Sequence, residues 1–224
     1  MQTKARFLPA AGLAASSILL LGAFAPSEAQ DSPPPVPATQ VVWQHVGRFY
    51  LNPTTGQAVY AGYVVHLNPI SNSGVSLFNG SPSESTAYFT FSTDVIQLTP
   101  LPNNNDLALY LISAGTFSVY YNANPNGDWS NPSSFSSGKL IATFTREQSL
   151  YSQFASIGVH SLSETLTSSR DFTFMGQKYN MKSIAPHGIT FAQFFSTAAT
   201  AGTSTYPYAF AAAGSTMAVG PTVP

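Results

Sequence analysis

The chain has 224 residues and a hydrophobic fraction of 44%, which is enough apolar material for the core of one domain. Charged residues make up only 8% of the chain, against roughly 25% in typical soluble domains, and the net charge of −1 gives no electrostatic basis for binding nucleic acid. Cysteine is absent, which excludes disulfides, thiolate nucleophiles and cysteine-ligated metals.

Residues 1–29 have the pattern of a secretory signal peptide. Two basic residues, Lys4 and Arg6, precede an apolar run over 7–24, and small residues stand at positions −3 and −1 of a cut after residue 29. The pattern predicts removal of the segment and a secreted or periplasmic location. A retained membrane anchor is the alternative, because the apolar run is close to the lower length limit of a span. The rest of the chain has no apolar run of that length, so no membrane span is expected after cleavage.

A proline-rich linker is predicted at 30–40, where four prolines in eleven residues favour an extended, semi-rigid spacer. The remainder, 41–224, is predicted to be a single antiparallel β domain. It opens with two strands, 41–51 and 58–67, separated by a strong turn signal, so the pair is expected to form a hairpin. Gly62 within the second strand indicates a bulge or a close approach of two backbones.

Alternation of apolar and polar residues predicts most of the later elements. Further strands are expected at 85–93, 107–113, 116–121, 139–145 and 208–219, with a tight hairpin at 172–181 around Gly176-Gln177. The aromatic residues at 191, 194 and 195, together with Ala198, fit helical spacing and predict one short helix. The expected core consists of Phe89, Phe91, Leu109, Leu111, Phe117, Val119, Leu140 and Phe144.

The fold class that follows is mainly β, with nine to eleven short strands and at most one or two short helices. The architecture is either a single antiparallel β-barrel, of a size comparable with calycin-type barrels, or a two-sheet sandwich. Closure into a barrel is favoured because the chain has few charges with which to protect exposed sheet edges. No family motif accompanies the architecture, and a fold alone does not imply a function.

No motif predicts a metal or another cofactor. The four histidines show neither HxH nor HExxH spacing, and the asparagine-rich loop from Asn122 onward has Ser133 where a calcium loop needs a bidentate glutamate. The GxSxG motif of a serine nucleophile is also absent. We therefore expect no metal and no cofactor, although spacing cannot reveal a site assembled from distant strands.

Six residues form the candidate pocket. They are the aromatic and titratable side chains that the predicted strands could direct to one place: Tyr60, His66, Glu84, Tyr88, Arg146 and His187. Tyrosine rings can line a carbohydrate or lipid pocket, although ordinary β propensity also enriches tyrosine. Arg146 follows Ala142 and Phe144 in register, so it is expected on the apolar side of its strand unless the strand ends at Phe144. A buried arginine needs a partner carboxylate, and it would be either a ligand anchor or one half of a structural ion pair.

The sequence thus favours a secreted, non-enzymatic β domain that binds a small apolar molecule, a glycan or a partner protein. The alternative is a barrel-type enzyme, a hydrolase or cyclase, with a site of acidic, histidine and tyrosine side chains brought together from distant strands. An enzyme should gather several of Glu84, Arg146, Glu147, His66 and His187 in one pocket, whereas a binding domain should leave them dispersed. An outer-membrane barrel ranks last, because several predicted strands are shorter than the about nine to eleven residues that it needs.

Overall fold

The computed structural model describes residues 33–220, so the predicted signal peptide at 1–29 lies outside the described residues. The strands are β1 (Val41–Asn52), β2 (Gln57–Leu67), β3 (Phe89–Thr93), β4 (Ile96–Asn104), β5 (Leu107–Ile112), β6 (Gly115–Tyr121), β7 (Lys139–Arg146), β8 (Ser149–Phe154), β9 (Ile157–Ser169), β10 (Phe172–Phe174), β11 (Gln177–Tyr179), β12 (Ile189–Ala201) and β13 (Tyr208–Ala218). A short helix, α1 (Met181–Ile184), and 3-10 turns at Ser71–Ser73 and Pro132–Ser136 complete the described elements.

The strands form a closed, eight-stranded antiparallel β-barrel, which confirms the predicted fold class and selects the barrel over the sandwich. Closure is visible at β1, which pairs with β2 on one side and with the last strand, β13, on the other. The chain passes around the eight positions of the barrel in order, so neighbouring positions are joined antiparallel to one another. Eight strands give a lumen that is just wide enough to be filled by side chains or to hold one small ligand.

Three neighbouring strands of the eight-stranded barrel are each interrupted once. Each therefore consists of two shorter strands placed end to end, namely β3 with β4, β5 with β6, and β7 with β8. The chain breaks its pairing at 94–95 between β3 and β4, at 113–114 between β5 and β6, and at 147–148 between β7 and β8. At one end of the barrel β3, β6 and β7 lie between β2 and β9, and at the other end β4, β5 and β8 take their places. The three interruptions therefore divide the lumen into two halves.

The Arg146 side chain, only 2% exposed, joins the interruptions to one another. Its Nε donates a hydrogen bond to the Ser113 carbonyl oxygen at 3.1 Å, and one terminal nitrogen donates to the Thr116 carbonyl oxygen at 3.0 Å. The other terminal nitrogen donates to the Asp94 carboxylate at 3.0 Å. Gly115 leaves the space for this ion pair, because a Cβ there would lie 2.5 Å from the guanidinium and 2.6 Å from the carboxylate. The predicted structural ion pair of Arg146 is confirmed.

Aromatic rings fill the lumen half that is bounded by β3, β6 and β7. Trp43 stacks on Phe117 with ring centroids 6.3 Å apart and contacts Phe144 edge-on at 5.8 Å, while Phe91 stacks on Phe117 at 5.2 Å. Such offset and edge-to-face pairs stabilise a core beyond the burial of their area alone. Of the predicted core, the structure buries five members, Phe89, Phe91, Phe117, Val119 and Phe144.

The remaining three predicted core residues, Leu109, Leu111 and Leu140, are only half-buried, so this part of the prediction is wrong. In β7 a bulge opposite Val119 and Tyr120 inserts one extra residue, and Ile141 rather than Leu140 joins the core. In β5 the alternate face points inward, so Tyr110 and Ile112 line the lumen. The β5 sequence is apolar on both faces, and its pattern could not decide between them.

The predicted helix near residues 191–198 is also wrong, because these residues belong to β12. Phe191, Gln193 and Phe195 are buried, and Phe194 between them is 60% exposed, which is the two-residue period of a strand. The structure also contains strands that were not predicted, among them β4, β8 and β9. Their sequences are rich in serine, threonine, asparagine or proline, which favour turns and hide the alternation.

One end of the barrel is covered by the segment that follows β9. In its β10–β11 hairpin, the Phe172 and Phe174 rings lie 5.7 and 5.1 Å from the ring of Phe89 at the start of β3. The hairpin turn is Met175-Gly176, both with positive φ, as in a type I′ turn, rather than the predicted Gly176-Gln177. Within the described residues, the other end carries only the turns between consecutive barrel strands, and we call it the uncovered end. No helix of residues 33–220 is long and apolar enough to cross a membrane.

Candidate functional site

The uncovered end of the lumen contains a cavity of about 110 Å³, which we call the outer cavity. Its lining is mostly apolar and comes from both the continuous and the interrupted strands: Phe49, Leu51, Leu98, Tyr110, Ile112, Tyr151, Gln153, Phe195, Thr197 and Phe210. A few polar groups stand among the apolar ones, namely the Tyr110 and Tyr151 hydroxyls, the Gln153 amide and the Thr197 hydroxyl. A concave apolar surface with a few convergent polar groups is the usual form of a small-molecule site.

A second, smaller cavity of about 20 Å³ adjoins it deeper in the lumen, and we call it the inner cavity. The two cavities share Phe49, Ile112 and Phe195 as lining residues, so these three side chains form the partition between them. The inner cavity lies at the level of the strand interruptions and is lined by buried polar side chains, Arg146, His160, Glu164 and Gln193, together with Tyr60 and Thr93. A cavity of this volume has room for about one water-sized group.

Two polar atoms of the inner-cavity lining have no hydrogen-bond partner among residues 33–220. They are the Tyr60 hydroxyl and Oε2 of Glu164, whose residues are 3% and 4% exposed. Buried polar groups in folded proteins are nearly always paired, so each such exception needs a reason. A ligand group that binds in the inner cavity would supply the missing partner for both.

The Glu164 carboxyl group lies deep inside the barrel. Arg146 is its direct partner in the β7–β9 register, yet the structure pairs the guanidinium with Asp94 instead. Burial raises the pKa of Glu164 to about 8, although the positive charge of Arg146 acts in the opposite direction. The carboxyl group is therefore mainly protonated at neutral pH and can donate a hydrogen bond.

His160 lies four residues before Glu164 on β9, on the same face of the strand, and faces the same cavity. Its Nε2 is 2.7 Å from the hydroxyl oxygen of Ser149, the first residue of β8. Burial, together with the nearby positive charge of Arg146, lowers the pKa of His160 to about 4, so the ring is neutral at pH 7. A second buried histidine, His45, has its pKa lowered to about 3 by burial among aromatic rings.

The position of Tyr60 depends on a glycine in the neighbouring strand. The tyrosine ring lies across Gly47 of β1, where a Cβ would be 2.7 Å from the ring carbon Cε2 and 2.9 Å from the Ala61 carbonyl oxygen. Gly47 pairs with Gly62 in the β1–β2 register, and the two backbones approach closely, as the glycine in the predicted second strand indicated. Gly47 thus leaves the space for the Tyr60 ring, and Gly62 leaves space for the Gly47 backbone and the Phe91 ring.

The six residues of the sequence-predicted pocket do not all meet. Tyr60 and Arg146 line the inner cavity together, whereas His66, Glu84, Tyr88 and His187 are absent from the lining of both cavities. Glu84 lies in the loop between β2 and β3, and His187 is exposed in the turn before β12. The inner cavity instead contains three buried polar residues that the sequence analysis did not select, His160, Glu164 and Gln193.

The buried Glu164 carboxyl predicts an unusual dependence of stability on pH. Between pH 6.5 and 8 the unfolded chain carries this glutamate ionised, with an ordinary pKa of 4.5, while the folded chain keeps it protonated. The unfolded state thus binds fewer protons at this site, which should lower the free energy of unfolding by about 1.6 kcal/mol over this interval and level off above pH 8. Loss of protons from His45 and His160 in the unfolded chain, whose ordinary pKa is 6.5, offsets about 0.8 kcal/mol of this fall between pH 6.5 and 8 and opposes it more strongly at lower pH.

Urea unfolding of the wild type and of the Glu164→Gln variant at pH 6.5, 7.2 and 8.0 measures this effect. The variant has no carboxyl group at that position and should instead become more stable by about 0.8 kcal/mol over the interval, from His45 and His160 alone. Equal slopes in the two proteins would contradict the assignment of a protonated Glu164.

Within residues 33–220, no three histidine, aspartate or glutamate side chains are grouped as metal ligands. Comparison of the chain with protein-family models, with curated proteins and with solved structures finds no match.

Proposed function

We propose that the barrel lumen binds a small, mostly apolar molecule that enters at the uncovered end. The observation that carries the proposal is the outer cavity, a concave apolar surface of about 110 Å³ inside a closed barrel. Its walls come from strands that are paired on both sides, so the site is held by the scaffold and little ordering should be needed on binding. We propose further, from the signal pattern of residues 1–29, that the protein works outside the cytoplasm.

The size of the outer cavity limits the ligand. A dry apolar cavity of about 150 Å³ holds benzene, so the about 110 Å³ of the outer cavity takes up a short branched chain or most of a single aromatic ring. Because the cavity lies at the end of the barrel, part of a longer molecule could extend beyond the rim. A glycan fits less well, since four polar side chains in a mostly apolar lining offer few partners for the hydroxyl groups of a sugar.

A hydrolytic function is the second candidate, and the observation that favours it is the 2.7 Å contact between Ser149 and His160. The contact resembles the nucleophile and base of a catalytic triad. One feature makes binding the stronger proposal. A histidine with a pKa of about 4 is a weak proton acceptor at neutral pH and therefore a poor general base.

Ethylbenzene, a single apolar ring with a short chain, is the probe for the proposed site. We expect the wild type to bind it saturably in ligand-observed NMR titrations. Leu98→Trp places a larger side chain in the outer cavity and should weaken binding at least tenfold, because the ring then occupies the space of the ligand.

Leu111→Trp is the matched control for this variant. Leu111 is also a half-buried leucine, but it lies next to the lumen-facing Ile112 on β5 and therefore points to the outer face of the barrel. Its substitution should leave the affinity for ethylbenzene within about twofold, a difference of less than roughly 0.5 kcal/mol. The proposal is contradicted if the wild type does not bind, or if the two variants lose affinity equally.

A further inference from the structure

We infer that the ligand carries a neutral oxygen acceptor, such as the carbonyl oxygen of a ketone, and that the Tyr60 hydroxyl and the Glu164 carboxylic acid donate hydrogen bonds to it. The inference rests on the proposed function, because it assigns the deep end of a ligand whose apolar part occupies the outer cavity. It adds a chemical class that the apolar walls alone do not specify.

The first support is that both donor groups face one cavity and lack partners. The Tyr60 hydroxyl and Oε2 of Glu164 are buried and unpaired among the described residues, and both residues line the inner cavity. The about 20 Å³ of this cavity matches one oxygen-sized group. One carbonyl oxygen has two lone pairs and can accept a hydrogen bond from each donor.

The second support is the relation between the two cavities. Phe49, Ile112 and Phe195 belong to the lining of both, so a ring in the outer cavity lies against the same side chains that border the inner one. A substituent on that ring that passes between these three side chains would extend from the outer cavity into the inner cavity. A molecule with one apolar ring and one carbonyl group matches an apolar outer cavity that is followed by a polar inner cavity.

The third support is the charge of the site, taken over all the elements that line the inner cavity with Glu164. From β7, Arg146 is positively charged, but Asp94 at 3.0 Å compensates its charge. On β9 itself, His160 is neutral because burial, with Arg146, lowers its pKa to about 4. The other polar residues of the lining, from β2, β3 and β12, are Tyr60, Thr93 and Gln193, and burial raises the pKa of the tyrosine further.

The last titratable group of the inner cavity is Glu164, whose pKa of about 8 keeps it protonated and uncharged at pH 7. The cavity is then neutral as a whole, so an anionic ligand would bring an uncompensated charge into a buried site. A neutral acceptor avoids that cost. A tyrosine hydroxyl together with a protonated carboxylic acid in an apolar site is a known type of donor pair for a carbonyl oxygen.

The test compares three probes of similar size at pH 7: acetophenone, which has the carbonyl group, ethylbenzene, which lacks it, and the anion benzoate. We expect acetophenone to bind the wild type at least tenfold more tightly than ethylbenzene, and benzoate to bind more weakly than acetophenone. Tyr60→Phe and Glu164→Leu each remove one donor and should lower the ratio of the ethylbenzene Kd to the acetophenone Kd at least threefold. Ethylbenzene binding also shows whether each variant is folded.

Two controls separate donor chemistry from general perturbation. Tyr63→Phe removes a hydroxyl from the same strand, but Tyr63 packs on Phe78 and Trp129 outside the lumen, so the ratio should not change. Glu164→Gln keeps an N–H donor at the same position and should retain more of the ratio than Glu164→Leu. In the wild type the ratio should also fall above pH 8, where Glu164 loses its proton, and in Glu164→Gln it should not.

The outcomes distinguish this inference from the proposed function. Equal affinities for acetophenone and ethylbenzene, or tighter binding of benzoate, would overturn the carbonyl assignment and leave the apolar site standing. Failure of ethylbenzene and acetophenone alike to bind the wild type would overturn the proposed function itself.

Discussion

Replacing Arg146 with methionine is expected to lower the free energy of unfolding by about 2–4 kcal/mol, because two carbonyl oxygens lose a charged donor while the partly exposed Asp94 carboxylate regains water. The substitution keeps an unbranched side chain but removes three hydrogen bonds at once, to the Asp94 carboxylate and to the carbonyl oxygens of Ser113 and Thr116. These partners lie at or next to two of the strand interruptions, where few backbone hydrogen bonds, such as Asp94 N–H to the Thr116 carbonyl oxygen, join the strands. Chemical denaturation followed by circular dichroism measures the loss.

Arg170→Met is the control for this variant, because Arg170 is exposed in the connection between β9 and β10. It should change the free energy of unfolding by no more than about 0.5 kcal/mol, as surface substitutions usually do. If Arg146→Met lost no more than the control, the guanidinium would not hold the interruptions together.

Phe144→Ala should destabilise the barrel by about 3–5 kcal/mol, the usual range for removing a buried aromatic ring. The Phe144 side chain is fully buried, and its ring contacts those of Trp43 and Phe117 at centroid distances of 5.8 and 6.4 Å. The lumen around it is densely filled with rings, so the vacated space cannot easily close.

Leu140→Ala tests the register of the same strand. The simple alternation of β7 puts Leu140 on the side of Phe144, but the bulge at Ile141 leaves Leu140 only half-buried. Leu140→Ala should therefore lose less than Ile141→Ala, whose side chain is fully buried. A larger loss of stability in Leu140→Ala than in Ile141→Ala would contradict the bulge at Ile141.

The barrel could be predicted from the sequence because closure follows from simple features. Short alternating strands with turn signals, together with few charges to protect edges, indicated a closed antiparallel sheet, and the structure confirms it. What could not be predicted is where the strands are interrupted. The pairing breaks near Asp94 and Ser113 depend on the buried Arg146, which is up to 52 residues away along the chain. Local pattern carries no information about such a contact.

The candidate site was predictable only in part. Tyr60 and Arg146 could be selected because they alternate in register with apolar residues of clear strands. Glu164 and His160 were missed because β9 is rich in serine and threonine and was not assigned as a strand. Every second residue of β9 nevertheless faces inward, namely His160, Leu162, Glu164 and Leu166. A carboxyl group among these inward-facing residues was the signal that could have identified the site.

The Arg146 side chain shows that the two roles considered from the sequence are compatible. It is a structural ion pair with Asp94 at the interruptions, and it also lines the inner cavity beside Glu164. The interruptions therefore have two consequences in this account. They place a buried charged group in the middle of the lumen, and they separate an aromatic core on one side from an apolar cavity on the other.

Intermolecular nuclear Overhauser effects between bound ethylbenzene and methyl groups of the protein test the central claim most directly. Two neighbouring residues of β5 report on opposite faces of the barrel wall, because Ile112 lines both cavities and Leu111 points outward. The account predicts strong effects from the ligand to the Ile112 methyl groups and none to those of Leu111. Effects to Leu111 without any to Ile112 would place the ligand on the outside of the barrel and contradict a binding site in the lumen.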